Sequence, residues 1–174
     1  MKIFIDGSAG TTGLRIKDRL MKRSDVELTT LSEEQRKDTE SRKQVLNSAQ
    51  VAFLCLPDAA AVEAVELVEN PDTVIIDTST AHRTSEGWAY GFPELSAEFE
   101  DKIKNSKRIA VPGCHAGGFI ALVYPLVEAG VLGNGALLSC YSLTGYSGGG
   151  KKMIAEYESA DRPAHSKLDA PKSY

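Results

Sequence analysis

The stretch D-G-S-A-G-T-T-G-L, residues 6–14, decides the fold. It follows a β-branched and aromatic run, Lys2 to Ile5. It opens a segment, Thr11 to Arg23, in which Leu14, Ile16 and Leu20 recur at helical spacing among charged residues. Gly7, Gly10 and Gly13 stand at G-x-x-G-x-x-G spacing. Glycine permits a tight turn and lets backbone N–H groups approach an anion. The helix N-terminus that follows adds unpaired N–H groups and a positive dipole end. Strand, glycine loop and helix in that order predict a dinucleotide site. The alternative is a plain turn whose glycines serve close packing.

Working outward, Val26–Leu31 reads as a second strand, and the polar residues 32–44 as a solvated loop and helix face. Val51–Leu56 is a third strand, stopped by Pro57. Ala59–Glu69 is an alanine-rich helix, and Thr73–Ile76 a fourth strand. Residues 78–107 read as a long irregular connection carrying Trp88, Tyr90 and Phe92. Arg108–Val111 is a fifth strand, Phe119–Val131 a helix and Ala136–Leu143 a further strand. Strands alternating with helices predict an α/β fold, a doubly wound parallel sheet with right-handed crossovers. Residues 158–174 read as a loop. The chain stops there without a closing element, which we read as part of a longer polypeptide.

Composition narrows the class. The 174 residues are 42% hydrophobic and 25% charged, with net charge −4. A weakly acidic chain without a basic stripe argues against nucleic acid and against anionic membranes as partners. No apolar run reaches membrane-spanning length, and the opening MKIFIDG is too short and too acidic for a signal peptide. Cys55, Cys114 and Cys140 are widely spaced and odd in number. They predict reduced thiols in a cytoplasmic protein, with no disulfide framework and no metal site.

The second strand ends Thr29-Thr30-Leu31-Ser32, with Arg36 and Lys37 shortly after. NAD sites usually place an acidic residue there for the ribose hydroxyls. Hydroxyls and cations suit a 2′-phosphate instead, which favours NADP, although Glu33 and Glu34 stand close by.

V-P-G-C-H-A-G-G-F, residues 111–119, puts Cys114 where a strand ends and a helix is to begin. Ligands bind at strand carboxyl ends in parallel sheets. A thiol at a helix N-terminus faces the dipole end that stabilises a thiolate nucleophile. The glycines leave room for a carbonyl, and turn N–H groups could stabilise an oxyanion. The alternative is a small buried apolar thiol. Cys55 and Cys140 lie in strand-like runs and read as core. His115 is adjacent to Cys114 in sequence, but its ring need not reach the thiol. His82 and His165 read as surface histidines of polar loops.

Five motifs together carry a resemblance: GSAGTTG at 7–13, DTSTAHR at 77–83, YGFPEL at 90–95, VPGCHAGGF at 111–119 and LTGYSGGGKK at 143–152. The chain resembles the N-acetyl-gamma-glutamyl-phosphate reductases, most closely the shorter, second type. The wider group includes aspartate-semialdehyde dehydrogenase. The resemblance implies a Rossmann-type NADP-binding domain over residues 1–113. Residues 114–174 would begin an α+β catalytic and dimerisation domain. It implies NADPH-dependent reduction of an acyl phosphate to N-acetylglutamate 5-semialdehyde in arginine biosynthesis, with Cys114 as nucleophile. Gly7, Ser8, Ala9, Gly10, Thr11, Thr12 and Gly13 would hold the pyrophosphate. Ser32 and Arg36 would hold the 2′-phosphate. Leu56 and Pro57 would line the adenosine side, and Ser147, Gly148 and Gly149 would lie near the nicotinamide. The family's histidine base falls in a motif past Tyr174, and neither His115 nor His165 matches it. The family also implies a homo-oligomer at full length. The competing readings are a non-catalytic dinucleotide-binding or redox-sensing module, a reductase of aspartyl phosphate and, last, a cysteine hydrolase.

Overall fold

A computed structural model describes residues 1–133 and 135–161, with Lys151 and Lys152 as backbone only; His165 lies outside the described residues. The chain divides into two compact units, Met1–Cys140 and Tyr141–Tyr174.

The first unit is built on six strands: β1 (Lys2–Asp6), β2 (Glu27–Thr29), β3 (Val51–Leu54), β4 (Val74–Asp77), β5 (Ala89–Tyr90) and β6 (Arg108–Ala110). They form one sheet in the order β2-β1-β3-β4-β6-β5, and every pairing is parallel. Ile3, Phe4 and Ile5 of β1 are all buried, as expected of a strand covered on both faces. The helices between strands are α1 (Thr11–Leu20), α2 (Thr39–Ser48), α3 (Asp58–Glu66) and α4 (Ala97–Asn105), followed after β6 by α5 (Cys114–Glu128). Strand order reverses between β1 and β3, so the crevice outside their carboxyl ends is the switch point where such sheets take ligands.

Phe4, Ala52, Leu54 and Ile75 project from one side of the sheet onto Leu46 of α2 and Ala64 of α3. The hydrophobic effect acts most fully here, at roughly 25 cal/mol per Å² of apolar surface removed from water. Asn47 locks these two helical segments together. Its amide nitrogen donates to the Leu67 carbonyl (2.8 Å), and its oxygen accepts from the N–H groups of Glu69 and Asn70 (2.7 Å each).

Several expectations are corrected. Residues 78–107 hold β5, a 3-10 turn at Pro93–Leu95 and α4. The α4 signal is Ser96, whose hydroxyl accepts from Phe99 N–H as an N-cap, and the pairs Glu98–Lys102 and Glu100–Lys104 one helical turn apart. α5 starts at Cys114, five residues before Phe119, because Gly113 caps it and the helix runs through Gly117 and Gly118. Interior glycines cost about 1 kcal/mol each in a helix but do not forbid it. Residues 136–143 pair with no strand among the described residues, and Leu137, Tyr141 and Leu143 are exposed. An apolar run with a β-like pattern needs a neighbouring ladder to become a strand. Cys140 is therefore exposed and not core.

In the second unit a 3-10 turn, Tyr146–Gly149, leads into α6 (Gly150–Glu158). Tyr146 stacks on Tyr157 with centroids 4.2 Å apart, and its hydroxyl donates to Glu158 (2.8 Å).

Candidate active site

Gly7 follows β1 with φ +81°, and a Cβ there would stand 2.2 Å from the Cys55 carbonyl oxygen. Only glycine lets the β1 and β3 ends approach so closely. Gly10 N–H donates to the Gly7 carbonyl (2.9 Å) and closes the turn. A Cβ on Gly13 would lie 2.4 Å from that same carbonyl, so α1 packs directly on the loop. Ser8 is buried, while Ala9, Gly10 and Thr11 are half-buried and Thr12 is exposed. Among the described residues no side chain caps α1, and its first turn holds no acid. Its N–H groups are therefore open to an anion.

Ser32 and Gln35 cap each other: Ser32 N–H donates to Gln35 Oε1 (3.0 Å), and Gln35 N–H to the Ser32 hydroxyl (3.2 Å). The next residue, Arg36, reaches back so that Nη2 donates to Ser8 Oγ at 3.4 Å. Leu56 packs beside Gly7, and Pro57 is the exposed N-cap of α3. The glycine loop, Arg36 and Leu56 thus come together at the switch point, with Ser32 shaping the turn that aims Arg36. Ser147, Gly148 and Gly149 lie in the 3-10 turn of the second unit.

Cys114 is the exposed first residue of α5. The turn before it is held by β4 and by residues 78–83. Val111 N–H donates to the Asp77 carbonyl (2.8 Å). Arg83 Nε donates to the Val111 carbonyl (2.9 Å), and Nη2 to that of Thr78 (3.3 Å). Its Nη1 lies 2.8 Å from where a Cβ on Gly113 would stand. A guanidinium therefore rests against the N-cap of the cysteine helix, where it can hold an anionic group of a substrate.

The largest correction concerns His82, which is buried. Its Nδ1 lies 2.7 Å from Asp77 Oδ2, and its ring stacks on Trp88 at 4.1 Å. Asp77 is fully buried and also accepts from Ser79 N–H (2.9 Å) and Ser79 Oγ (2.6 Å). This knot fixes the loop that carries Arg83. A second buried acid, Asp6, ends β1 and accepts from Arg42 Nε (3.2 Å) and Nη2 (2.9 Å). Reading the residues alone missed Asp6, Arg42, Asp77 and Arg83. The available signal was an aspartate closing each of two apolar strands, Ile5-Asp6 and Ile76-Asp77. A buried charge requires a partner.

Cys55 is half-buried just past β3. Burial pushes its thiol up to about 11, the Thr78 hydrogen bond opposes this, and the Asp6 and Asp77 carboxylates add to the rise. Among the described residues no cluster of His, Cys, Asp and Glu could hold a metal ion. No described helix is long and apolar enough to cross a membrane.

A parallel sheet with a glycine loop at its switch point and a cysteine opening a later helix defines an α/β dinucleotide-binding domain of the dehydrogenase type. Residues 2–105 match the family described as semialdehyde dehydrogenase, NAD binding domain, and the chain belongs to that family. Among curated relatives, N-acetyl-gamma-glutamyl-phosphate reductase of Trichormus variabilis is 50% identical over 158 residues, covering 91% of this chain and 49% of its own. N-acetyl-gamma-glutamyl-phosphate reductase 2 of Pseudomonas putida is 47% identical over 172 residues, covering 99% of this chain and 54% of its own. The chain spans about half the length of the curated relatives it matches. Aspartate semialdehyde dehydrogenase II of Vibrio cholerae, complexed with ASA, shares the fold with TM-score 0.59 and 17% identity, over 89% of this chain and 49% of that one. Aspartate semialdehyde dehydrogenase of Candida albicans, with NADP, does so with TM-score 0.53 and 18% identity, over 73% and 46%.

Proposed function

We propose that this chain is the cofactor-binding and nucleophile-bearing half of an N-acetyl-gamma-glutamyl-phosphate reductase of arginine biosynthesis. The observation that carries the reading is Cys114. It is exposed at the N-terminus of α5, beside Arg83, in the same unit as a glycine loop built for pyrophosphate. The names of relatives about half identical to the chain supply the substrate.

The Cys114 thiolate attacks the acyl-phosphate carbonyl carbon. The carbon–oxygen bond to phosphate breaks, phosphate leaves with that electron pair, and a thioester remains on Cys114. Arg83 holds the anionic group near the turn, and the open N–H groups of α5 stabilise the oxyanion. Gly7, Ser8, Ala9, Gly10, Thr11, Thr12 and Gly13 would hold the pyrophosphate, Ser32 and Arg36 the 2′-phosphate of NADPH, and Leu56 and Pro57 would line the adenosine side. NADPH, when bound, would supply the hydride to the thioester carbon; the carbon–sulfur bond then breaks, releasing the aldehyde and returning the electron pair to Cys114 as thiolate. Residues 1–113 would form the NADP-binding domain and residues 114–174 the beginning of the catalytic domain, with Ser147, Gly148 and Gly149 near the nicotinamide. Three free cysteines support a cytoplasmic setting, and we expect a homo-oligomer at the relatives' full length.

The test is Cys114→Ser in a polypeptide of the relatives' full length, assayed with N-acetylglutamyl and aspartyl phosphates. Loss of aldehyde formation from the first, with NADPH binding retained, is expected. Turnover equal to the parent's overturns the role of Cys114, and preference for the aspartyl compound overturns the substrate.

A further inference from the structure

The Asp6–Arg42 pair is used by none of the steps above, yet it stands at the dinucleotide site. Asp6 is the last residue of β1, next to Gly7, and its side chain is 5% exposed. Arg42, in α2, covers it with two N–H groups on one carboxylate oxygen, and is itself 14% exposed. A buried carboxylate is costly unless a partner offsets its charge. The segment that supplies this partner also supplies Arg36, which reaches Ser8 Oγ on the same loop. One stretch of chain, residues 32–42, therefore sends two guanidiniums to the end of β1. One reaches Ser8 on the loop and the other the acid that precedes the loop.

In sites that prefer NAD, an acid in this crevice accepts from the ribose hydroxyls and repels a 2′-phosphate. Here β2, the strand that would carry that acid, ends at Thr29 and is followed by Thr30, Leu31 and Ser32, and the buried acid sits one strand away at the end of β1. We propose that Arg42 is a positioning residue for coenzyme choice. By holding and neutralising Asp6 behind the glycine loop, it keeps a carboxylate from repelling the extra phosphate of NADPH. The proposal rests on the dinucleotide reading of the site and deepens it. The repulsion grows with the charge of the ligand, so NADPH feels it more than NADH.

The test is direct titration of NADPH and NADH against the intact chain, without any turnover assay. Arg42→Met keeps the apolar stem and removes the charge. It is expected to weaken NADPH binding about tenfold and NADH binding less than about threefold. Asp6→Asn combined with Arg42→Met is expected to bring NADPH affinity back to within about threefold of the parent. If Arg42→Met does not fold, the double variant is compared with Asp6→Asn alone, and the two should then bind NADPH within about threefold of one another. Equal losses for both coenzymes, or no recovery in the double variant, would overturn the proposal and leave the site's reading intact. A parent chain that binds neither coenzyme overturns both.

Discussion

Two turns leave the carboxyl edge of the same sheet, each with one cysteine and one proline. After β3 the chain reads Cys55-Leu56-Pro57 and enters α3; after β6 it reads Pro112-Gly113-Cys114 and enters α5. In the first turn the cysteine precedes the helix and is half-buried. Burial and the Asp6 and Asp77 carboxylates keep it a thiol. In the second the order is reversed, so the cysteine is the helix's own first residue, exposed, with Arg83 against the glycine before it. The end of a parallel strand is therefore not enough to make a nucleophile. The two cysteines differ in their place relative to the cap and in exposure.

That contrast can be broken at either turn. The largest effect is expected from serine substitution in a full-length polypeptide. Cys114→Ser should lower aldehyde formation by about a thousandfold or more, and Cys55→Ser by less than about threefold. Comparable losses from the two would abolish the distinction. Next comes Gly7→Ala, which places a methyl group on the Cys55 carbonyl at a positive φ. Denaturant unfolding should show a loss of about 3 kcal/mol, with dinucleotide binding lost as well. A stable variant that still binds would mean the β1–β3 approach does not matter.

Alkylation reads the thiols directly. With its thiol near 11, Cys55 is about one part in a thousand thiolate at pH 8, so iodoacetamide should modify Cys114 about a hundredfold faster by peptide mapping. The smallest effect is on stability against pH. Unfolded Cys55 ionises near 9.0 and the folded thiol near 11, so above pH 9 the unfolded chain binds fewer protons and stability falls until about pH 11. Discounted for partial exposure, the loss is about 1 kcal/mol, and Cys55→Ala should flatten that slope in urea melts.

The sheet and glycine loop were legible because each rests on local pattern. Continuous apolar runs such as Ile3–Ile5 announce strands buried on both faces, and the Gly7, Gly10 and Gly13 spacing announces the turn. Arg36 stands out because order along the chain puts it just past the second strand, whereas Leu56 is pointed to by the family resemblance alone. In the sequence His82 reads as a surface group, because its partners, Asp77 and Trp88, meet it only through folding. Arg42 was hidden in a polar run, where nothing local distinguishes a buried guanidinium from a solvated one. Residues 136–143 misled in the opposite direction. Their pattern suits a strand, but a strand also requires a neighbour.

The proposed chemistry requires Cys114 to carry the acyl group. The direct measurement is peptide mass mapping of a full-length polypeptide mixed with the acyl phosphate in the absence of NADPH. One added acyl group, labile to hydroxylamine, is expected on the peptide containing Cys114. An adduct on Cys55 or Cys140, or aldehyde formed by a Cys114→Ser variant without any adduct, would contradict it.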